Sequence, residues 1–511
     1  MKTRNILLAL ATAACATVSA QDTYLNDRLT ATDDLNGTAR YVGMGGALGA
    51  LGADLSVISD NPAGIGLYRK SDVGLSFGLV KPNGNGWDKN DRSSYGERLT
   101  HASFDQMGLV FSLKCDSKLK YANFAVNYQK KANYNLGFFA DNPNLGGYSQ
   151  MDQLAELATA GFGTDQNLAG LAAMPYAKDP SMDNYYLSQD EQGYYNQYSS
   201  YSNNYTRHQT GSLQAFDINA SFNIMDRVYV GATFGVDNLD YRAWSEYAEY
   251  GGDDLLNHAV YNDVEVDGYG LNAKFGIIVR PIEDNSFRFG VTLETPTWYR
   301  LKNSTIFNLD QSDKPESYLE FTIRTPWKGR ISFGSTVSNV FAWGLEYEYA
   351  NYGKTSMGYP CWDEWDYYHS GLASDPDFAM NQHTKSVLQG QHTLKMGVEY
   401  KPTSDLSLRL GYNYISSRYK DGATFDQYSI DSEAMDYSTS TDYMLLGDAN
   451  ILTVGLGYKL KSFYVDLAYK FRAQSGDFYA FDSSFADDWQ LSPVNVNLNR
   501  HQLVLGLGFK F

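Results

Sequence analysis

The sequence has little cysteine. Of three residues in 511, Cys15 lies in an apolar leader, which leaves Cys115 and Cys361, too few to scaffold a small secreted domain with disulfides. Beyond the leader no run approaches the ~18 consecutive apolar residues that a spanning helix requires, so helical insertion is excluded. Basic residues are also short, with 41 Lys and Arg against 59 Asp and Glu. That acidic balance argues against nucleic acid as a partner. A mean hydropathy of -0.41 without a spanning helix leaves two possibilities, a water-soluble chain or a barrel.

What is abundant favours the barrel. The 41 Tyr, 26 Phe and 46 Gly enrich the residues that form aromatic girdles and closely approaching strands. The last residues, HQLVLGLGFKF, alternate strictly: Leu503, Leu505, Leu507, Phe509 and Phe511 share one face, and Val504, Gly506, Gly508 and Lys510 the other. A terminal aromatic on such a strand, here Phe509 and Phe511, resembles the signal by which Gram-negative cells recognise outer-membrane barrels for insertion, so the barrel-assembly machinery is an expected partner. The other end agrees. Lys2 and Arg4 precede the apolar stretch Ile6 to Val18, and Val18-Ser19-Ala20 supplies small residues for cleavage between Ala20 and Gln21. Removing the leader brings the net charge to about -20. Thr12-Ala13-Ala14 lacks the bulky apolar residue expected three positions before a lipid-bearing Cys15.

From residue 70 onward, alternating segments are separated by two kinds of spacer. Short ones fall at Asp116 to Leu119, Met225-Asp226, Ile282 to Asn285, Ser338-Asn339, Pro402 to Asp405 and Lys461-Ser462. Long polar ones occupy about 81–102, 140–212, 243–264, 301–316, 353–390, 418–448 and 474–499. Bacterial barrels have tight periplasmic turns and long outer loops. In FDINASFNI, Phe216, Ile218, Ala220, Phe222 and Ile224 take one face, while Asp217, Asn219, Ser221 and Asn223 take the other. Fifteen runs reduce to an even fourteen if Tyr318 to Thr325 and Ile331 to Val337 form one strand interrupted at Pro326. The expected fold is therefore all-β: a transmembrane antiparallel barrel of 14 strands over residues 70–511. Residues 21–69, rich in Gly and Ala and not alternating, read as an amino-terminal plug inside it.

Within that segment, Gly43-Met44-Gly45-Gly46-Ala47, then Asp54, then Asn61-Pro62-Ala63-Gly64 stand directly before the first strand. This tandem resembles the amino-terminal hatch of the FadL/TodX-type outer-membrane transporters of long-chain fatty acids or aromatic hydrocarbons. Thr325-Pro326-Trp327 resembles a further family element. The resemblance implies a fourteen-stranded plugged barrel that passes apolar ligands from an outer groove into the lumen and out through an opening in the wall. Ala53-Asp54 replaces the paired aspartates of many members, and Ile65 a common Leu. The same glycines and prolines also serve simply as turns and packing surfaces, so a plug that only closes the bore and one that also contacts ligand are both compatible with them.

Other signals are weaker. Gly74-Leu75-Ser76-Phe77-Gly78 matches a nucleophile-elbow pattern but lies inside an alternating strand, against a membrane hydrolase. Ser149 to Gly161 reads as a helix, with Ser149 as N-cap and Asp152 three residues on. Met151, Leu154 and Leu157, with Leu168 and Leu171 beyond, would give an apolar side above the barrel mouth: an outer ligand groove by resemblance, or a patch packing the loop onto the rim. Tyr185 to Tyr205 reads as a polar loop of low complexity. All seven histidines fall on the outer side: His101, His208, His258, His369 and His383 in loops, His392 and His501 at strand ends. They leave a haem-binding receptor or surface-binding barrel as the alternative function, although no pair has i, i+4 metal-ligand spacing. Asp363-Glu364 and Asp487-Asp488 read as solvated clusters that divalent cations could bridge to lipopolysaccharide. Cys115 and Cys361 should stand at opposite rims. The leading expectation is passive uptake of small hydrophobic molecules across the outer membrane, with no enzymatic step, cofactor or metal. A general porin would lack the plug.

Overall fold

The protein's structure, a computed structural model, describes residues 22–511 except 33, 85–99, 174–186, 188–198, 284, 310–315, 361–373 and 487–488. The cleavage site Ala20/Gln21, most of the Tyr-rich stretch, Cys361, His369 and both acidic clusters lie outside the described residues.

Among the described residues, fourteen antiparallel strands form one closed barrel. They are β1 (Asp72–Gly84), β2 (His101–Lys114), β3 (Leu119–Asn133, resumed at Leu136–Asn142), β4 (Ser202–Ile224), β5 (Val228–Tyr250), β6 (Leu256–Val279) and β7 (Arg288–Glu294, resumed at Trp298–Leu309). After them come β8 (Glu316–Arg324, resumed at Lys328–Val337), β9 (Phe341–Asn351, resumed at Ser356–Pro360), β10 (Gly390–Tyr400), β11 (Leu406–Ile415), β12 (Tyr443–Leu460), β13 (Phe463–Tyr479) and β14 (Val494–Lys510). Each pairs with its sequence neighbours, and β1 with β14 (Val73↔Phe509 to Leu79↔Leu503) closes the ring and removes its edges. The proline-interrupted strand around Pro326 is present, and Thr295-Pro296-Thr297 interrupts β7 beside it. The two breaks hold each other, with Thr325 N donating to Thr297 O at 3.1 Å and Thr297 N to Thr325 Oγ1 at 2.8 Å.

Solvent quality sets the faces. In β4, Phe216 and Ile218 point outward, 50% and 62% exposed, while Asp217, Asn219 and Ser221 are sealed inside. Phe77, Phe104, Tyr128 and Phe216 form a line of ring contacts across four strands, 5.2–5.5 Å apart. A continuous wall of this kind suits hydrocarbon and not water. Tight turns join strands at one end. Met225-Asp226 and Ser338-Asn339 have both residues at positive φ (57° and 58°, 52° and 58°), the twist a two-residue hairpin needs.

Three expectations need correction. Residues 243–264 and 301–309 are largely strand, not loop, because β5, β6 and β7 run on well past the roughly 9–11 residues that cross a bilayer. His258 accordingly sits in a strand, β4 likewise runs on through 202–212 and carries His208, His101 opens β2, and His383 lies in the helix Phe378–Val387. In these extensions the pattern inverts. Leu239, Tyr241 and Ala243 face inward, whereas Asp240 and Arg242 face water.

The described residues of 22–69 form no strand. Helices Thr23–Thr30 and Ala39–Gly43 and 3₁₀ turns Leu55–Ile58 and Pro62–Leu67 are capped by Asp22, Thr38, Asp54 and Asn61 respectively. The segment packs on inward faces of the strands, and its carbonyls accept from Asn123 (to Ile65, 2.7 Å), Ser221 (to Pro62, 2.7 Å), Thr233 (to Ile58, 3.1 Å), Arg288 (to Leu51, 2.8 Å) and Thr453 (to Gly43, 3.2 Å). Strand glycines make room for it. A Cβ on Gly344 would lie 1.9 Å from Ala47 O, and one on Gly397 would lie 2.1 Å from Met44 O.

Candidate functional site

The motif residues of the segment do backbone work. Gly45 and Gly46 adopt φ of 61° and 76°, which a side chain would resist. Asp54 accepts Ser56 N at 2.9 Å and Thr38 Oγ1 at 2.8 Å, and Asn61 Oδ1 accepts Ala63 N at 3.2 Å. Met44, Pro62, Ala63 and Gly64 are buried beside them, and Gly43 packs so closely on β12 that a Cβ there would lie 3.1 Å from Gly455 Cα.

Around the segment, ion pairs line the inner wall of the membrane band. Lys274 and Asp217 are 3.1 Å apart and both sealed from solvent, Lys395 is 2.9 Å from Glu346, and Arg409 lies between Glu399 (2.7 Å) and Asp466 (2.5 Å). A cavity of about 320 Å³ near the tight-turn end, lined by Arg40, Asp54, Glu399, Arg409 and Asp466, and one of about 80 Å³ above it, lined by Asp60, Lys131, Glu294, Arg330 and Lys395, are both charged. An apolar solute passing along the axis would have to displace these pairs, which leaves buried charge unmatched at several kcal/mol each.

Higher up is a cavity of about 170 Å³ with a different lining. Tyr24, Tyr134, Tyr419, Met444 and Leu446 give it apolar walls, and five arginines (Arg28, Arg207, Arg418, Arg472 and Arg500) face it against only two aspartates among the described residues, Asp27 and Asp34. Both aspartates are engaged: Asp27 accepts from Arg418 at 2.9 Å and from Tyr419 at 2.7 Å, and Asp34 from Lys470 at 2.8 Å and Arg500 at 3.1 Å. Arg28 makes no ion pair among the described residues, and its Nη1 donates only weakly to the Tyr241 hydroxyl at 3.4 Å. Arg207 pairs with Asp442 at 2.8 Å, yet its buried Nε finds no acceptor among the described residues. In a strongly acidic chain, this is a locally cationic, partly desolvated chamber.

The chamber abuts an irregular part of the wall. Hydrogen bonding between β2 and β3 stops at Gln106↔Gln129, and β3 breaks at Tyr134-Asn135. Its continuation Leu136–Asn142 then pairs only with β4 among the described residues. Ala132, Asn133, Tyr134 and Leu136 from this stretch line the cavity, with Pro82 of β1. Side chains span the strands here: His101 Nε2 lies 3.0 Å from Asn133 Nδ2 and 3.2 Å from Asn135 Nδ2, and Lys130 Nζ donates to Ser103 Oγ at 2.8 Å.

The residues expected to form an outer groove do come together. The helix Gln150–Thr159 has the Ser149/Asp152 capping box, and the Glu249 carboxylate of β5 accepts Gln150 N at 2.6 Å and Ser149 Oγ at 2.5 Å. Met151, Leu154, Leu157 and Leu168 are buried and Leu171 half-buried in a cluster with Phe138, Tyr205, Phe478 and Phe481 over the loop end. The cavity among Leu154, Leu157 and Leu168 is only about 10 Å³. Ser76 of the elbow-like pattern faces inward, fully buried, and among the described residues no histidine lines the cavity it borders. Phe509 and Phe511 stack 6.2 Å apart on the outer wall at the tight-turn end. The arginine chamber was missed by sequence reasoning, because its members come from five distant segments. Their inward placement in an acidic chain was the one available signal.

The backbone arrangement has solved counterparts. A FadL homologue from Pseudomonas aeruginosa superposes with a TM-score of 0.50 at 12% identity, over 97% of this chain and 99% of that one. The chain has the FadL-type fold. The monoaromatic hydrocarbon channel CymD (TM-score 0.49, 10% identity) and the Ralstonia pickettii toluene transporter TbuX (TM-score 0.47, 12% identity) each align over 94% of this chain and 99% of their own. No family model matches the sequence, and no curated protein matches it.

Proposed function

We propose that this protein is an outer-membrane channel for passive uptake of small hydrophobic molecules, and that its preferred cargo is an amphiphile with an anionic head, such as a fatty acid. The carrying observation is the chamber: apolar walls, five arginines against two aspartates, and a position beside the wall break. In this reading residues 1–20 are a cleaved export signal and residues 21–69 a plug. The tight-turn end faces the periplasm. Burial of an acyl chain contributes about 0.8 kcal/mol per CH₂, and the guanidinium groups hold the carboxylate. The charged layers below bar the axial route, so the cargo leaves sideways between β2 and β3 into the bilayer. The helices Gln150–Thr159 and Leu168–Ala173 act as a cover whose apolar underside gives the first docking surface once it parts. A haem receptor is not favoured, since no histidine among the described residues lines the chamber.

The test compares binding of a long-chain fatty acid with that of the chain-matched alcohol by the purified protein and by an Arg28→Ala variant. The acid should bind about tenfold better, the worth of a charge-assisted hydrogen bond, and the preference should shrink in the variant. Equal binding of acid and alcohol would remove the anionic head from the proposal. Binding of neither would remove the transport reading itself.

A further inference from the structure

The same side-chain constellation occurs twice on the outer wall, and neither copy faces the chamber. On β9 and β10, His392 stands directly opposite Tyr349, its ring 5.1 Å away, while the hydroxyl of Tyr347, two residues along the strand, lies 2.7 Å from His392 Nδ1. On β13 and β14, His501 stands opposite Phe471 at 4.8 Å, and the Tyr469 hydroxyl lies 2.8 Å from His501 Nδ1. Even the residue opposite the clasping tyrosine is the same, Leu394 in one and Leu503 in the other. Both copies therefore read Tyr-x-aromatic on one strand and His-x-Leu on the next.

Both also sit at one height. Below His392 the outward positions are Leu394, Met396, Val398 and then Tyr400, and below His501 they are Leu503, Leu505, Leu507 and then Phe509. Eight residues of strand span about 27 Å, which at the roughly 35–45° tilt of such strands is a rise of about 20 Å, most of the ~25 Å of an apolar band between its two aromatic girdles. The histidines thus mark the upper edge of the band, where hydrocarbon gives way to lipid headgroups. In the tautomer in which Nδ1 accepts from the tyrosine hydroxyl, the imidazole carries its proton on Nε2, which has no protein partner among the described residues in either copy and is left as an outward-facing donor; the opposite tautomer would make Nε2 an acceptor. A donor so placed at that edge can be met by water or by the lipid, and the strongest acceptor the lipid offers there is a phosphate ester.

We propose that the two clasps are seats for the phosphate groups of an outer-leaflet phosphorylated lipid, with the tyrosine fixing the tautomer, Nε2–H donating to a phosphate oxygen and the opposite ring covering the adjoining sugar or glycerol. This rests on the membrane placement proposed above and is independent of the cargo.

The test uses the full-length protein in nanodiscs, titrated with bis-phosphorylated lipid A, with the same lipid dephosphorylated, and with inorganic phosphate. Histidine ¹⁵N resonances are followed in the wild type, in His392→Gln/His501→Gln and in Tyr347→Phe/Tyr469→Phe. The phosphorylated lipid should move the His392 and His501 signals in the Nε2–H form, bind about tenfold more tightly than the dephosphorylated lipid, and lose that advantage in the glutamine variant. The phenylalanine variant should keep both histidines but show mixed tautomers and an intermediate affinity. Equal binding of the two lipids, an unchanged advantage in the glutamine variant, or equal shifts with inorganic phosphate alone would each overturn the proposal. A Leu255→Cys variant in a Cys115→Ser/Cys361→Ser background, altered at a loop-end position that is 68% exposed, reports separately whether that end faces the cell exterior, through labelling of intact cells with an impermeant reagent.

Discussion

Along β5 the inward positions read Thr233, Gly235 and Asp237 and then, with no change of parity, Leu239, Tyr241 and Ala243. The lower part of the bore is thus polar, packed with residues 35–69 and held by ion pairs. The upper part is an ordinary apolar core, in which Tyr24, Leu29, Tyr134, Val266, Leu301 and Phe321 pack together. The outer face makes the opposite exchange, from Phe234 to Asp240 and Arg242. The difference teaches that a strand's apolar side is decided by what lies outside it. Where the exterior is hydrocarbon, the interior must supply the polar contacts, and where the exterior is water, the interior is free to be greasy. The arginine chamber lies where the two regimes meet, and an amphiphile has the same two-sided character.

The comparison can be broken most visibly at the polar half. Gly397→Leu sets a side chain where Met44 O already lies, so the segment must be displaced. Planar-bilayer conductance should rise from near zero to that of an open bore, and a variant that stays closed would show that the segment is not what seals the lower half. Next in size is Asp217→Ala, which strands the Lys274 ammonium, 1% exposed, and removes the 2.9 Å bond from Ser59. Urea unfolding from vesicles should show a loss of about 3–5 kcal/mol. A loss below about 1 kcal/mol would mean that water solvates the lower lumen.

In the apolar half, Leu154→Ala should cost about 3 kcal/mol, felt locally as faster hydrogen exchange in Gln150–Thr159 with the membrane band unchanged. The smallest effect is a pH dependence. Burial against Tyr24 and Phe425 holds the His383 imidazole below its ordinary 6.5, and the Thr424 carbonyl offsets this only in part. The unfolded chain then binds more protons than the native one, so stability is gained as pH rises through this window and lost as it falls below about 6.5. Protection factors in Thr23–Thr30 and Phe378–Val387, that is, exchange corrected for its intrinsic pH dependence, should therefore fall between pH 7.5 and pH 5, and His383→Gln should flatten the profile.

How far each feature could be read follows the same division. The strands were countable, including the one split at Pro326, because lipid contact imposes a period of two that local sequence displays directly. The strand extensions over 243–250, 256–264 and 301–309 read as loops in the sequence because the exchange of faces there removes the apolar-out pattern that marks a membrane strand. The helix after Ser149 was legible from its cap and stop, but its hold on Glu249, a hundred residues on, was not.

By itself the amino-acid order determined that this chain crosses a membrane as a ring of fourteen strands, since the requirement acts residue by residue through the solvent each side chain meets. Where the arginines of five remote segments converge, which glycines the leading segment rests on, and that two tyrosine-held histidines stand level on the wall were decided only when the ring closed. Closure sets the register between distant strands, and those contacts depend on register and not on neighbours in the chain.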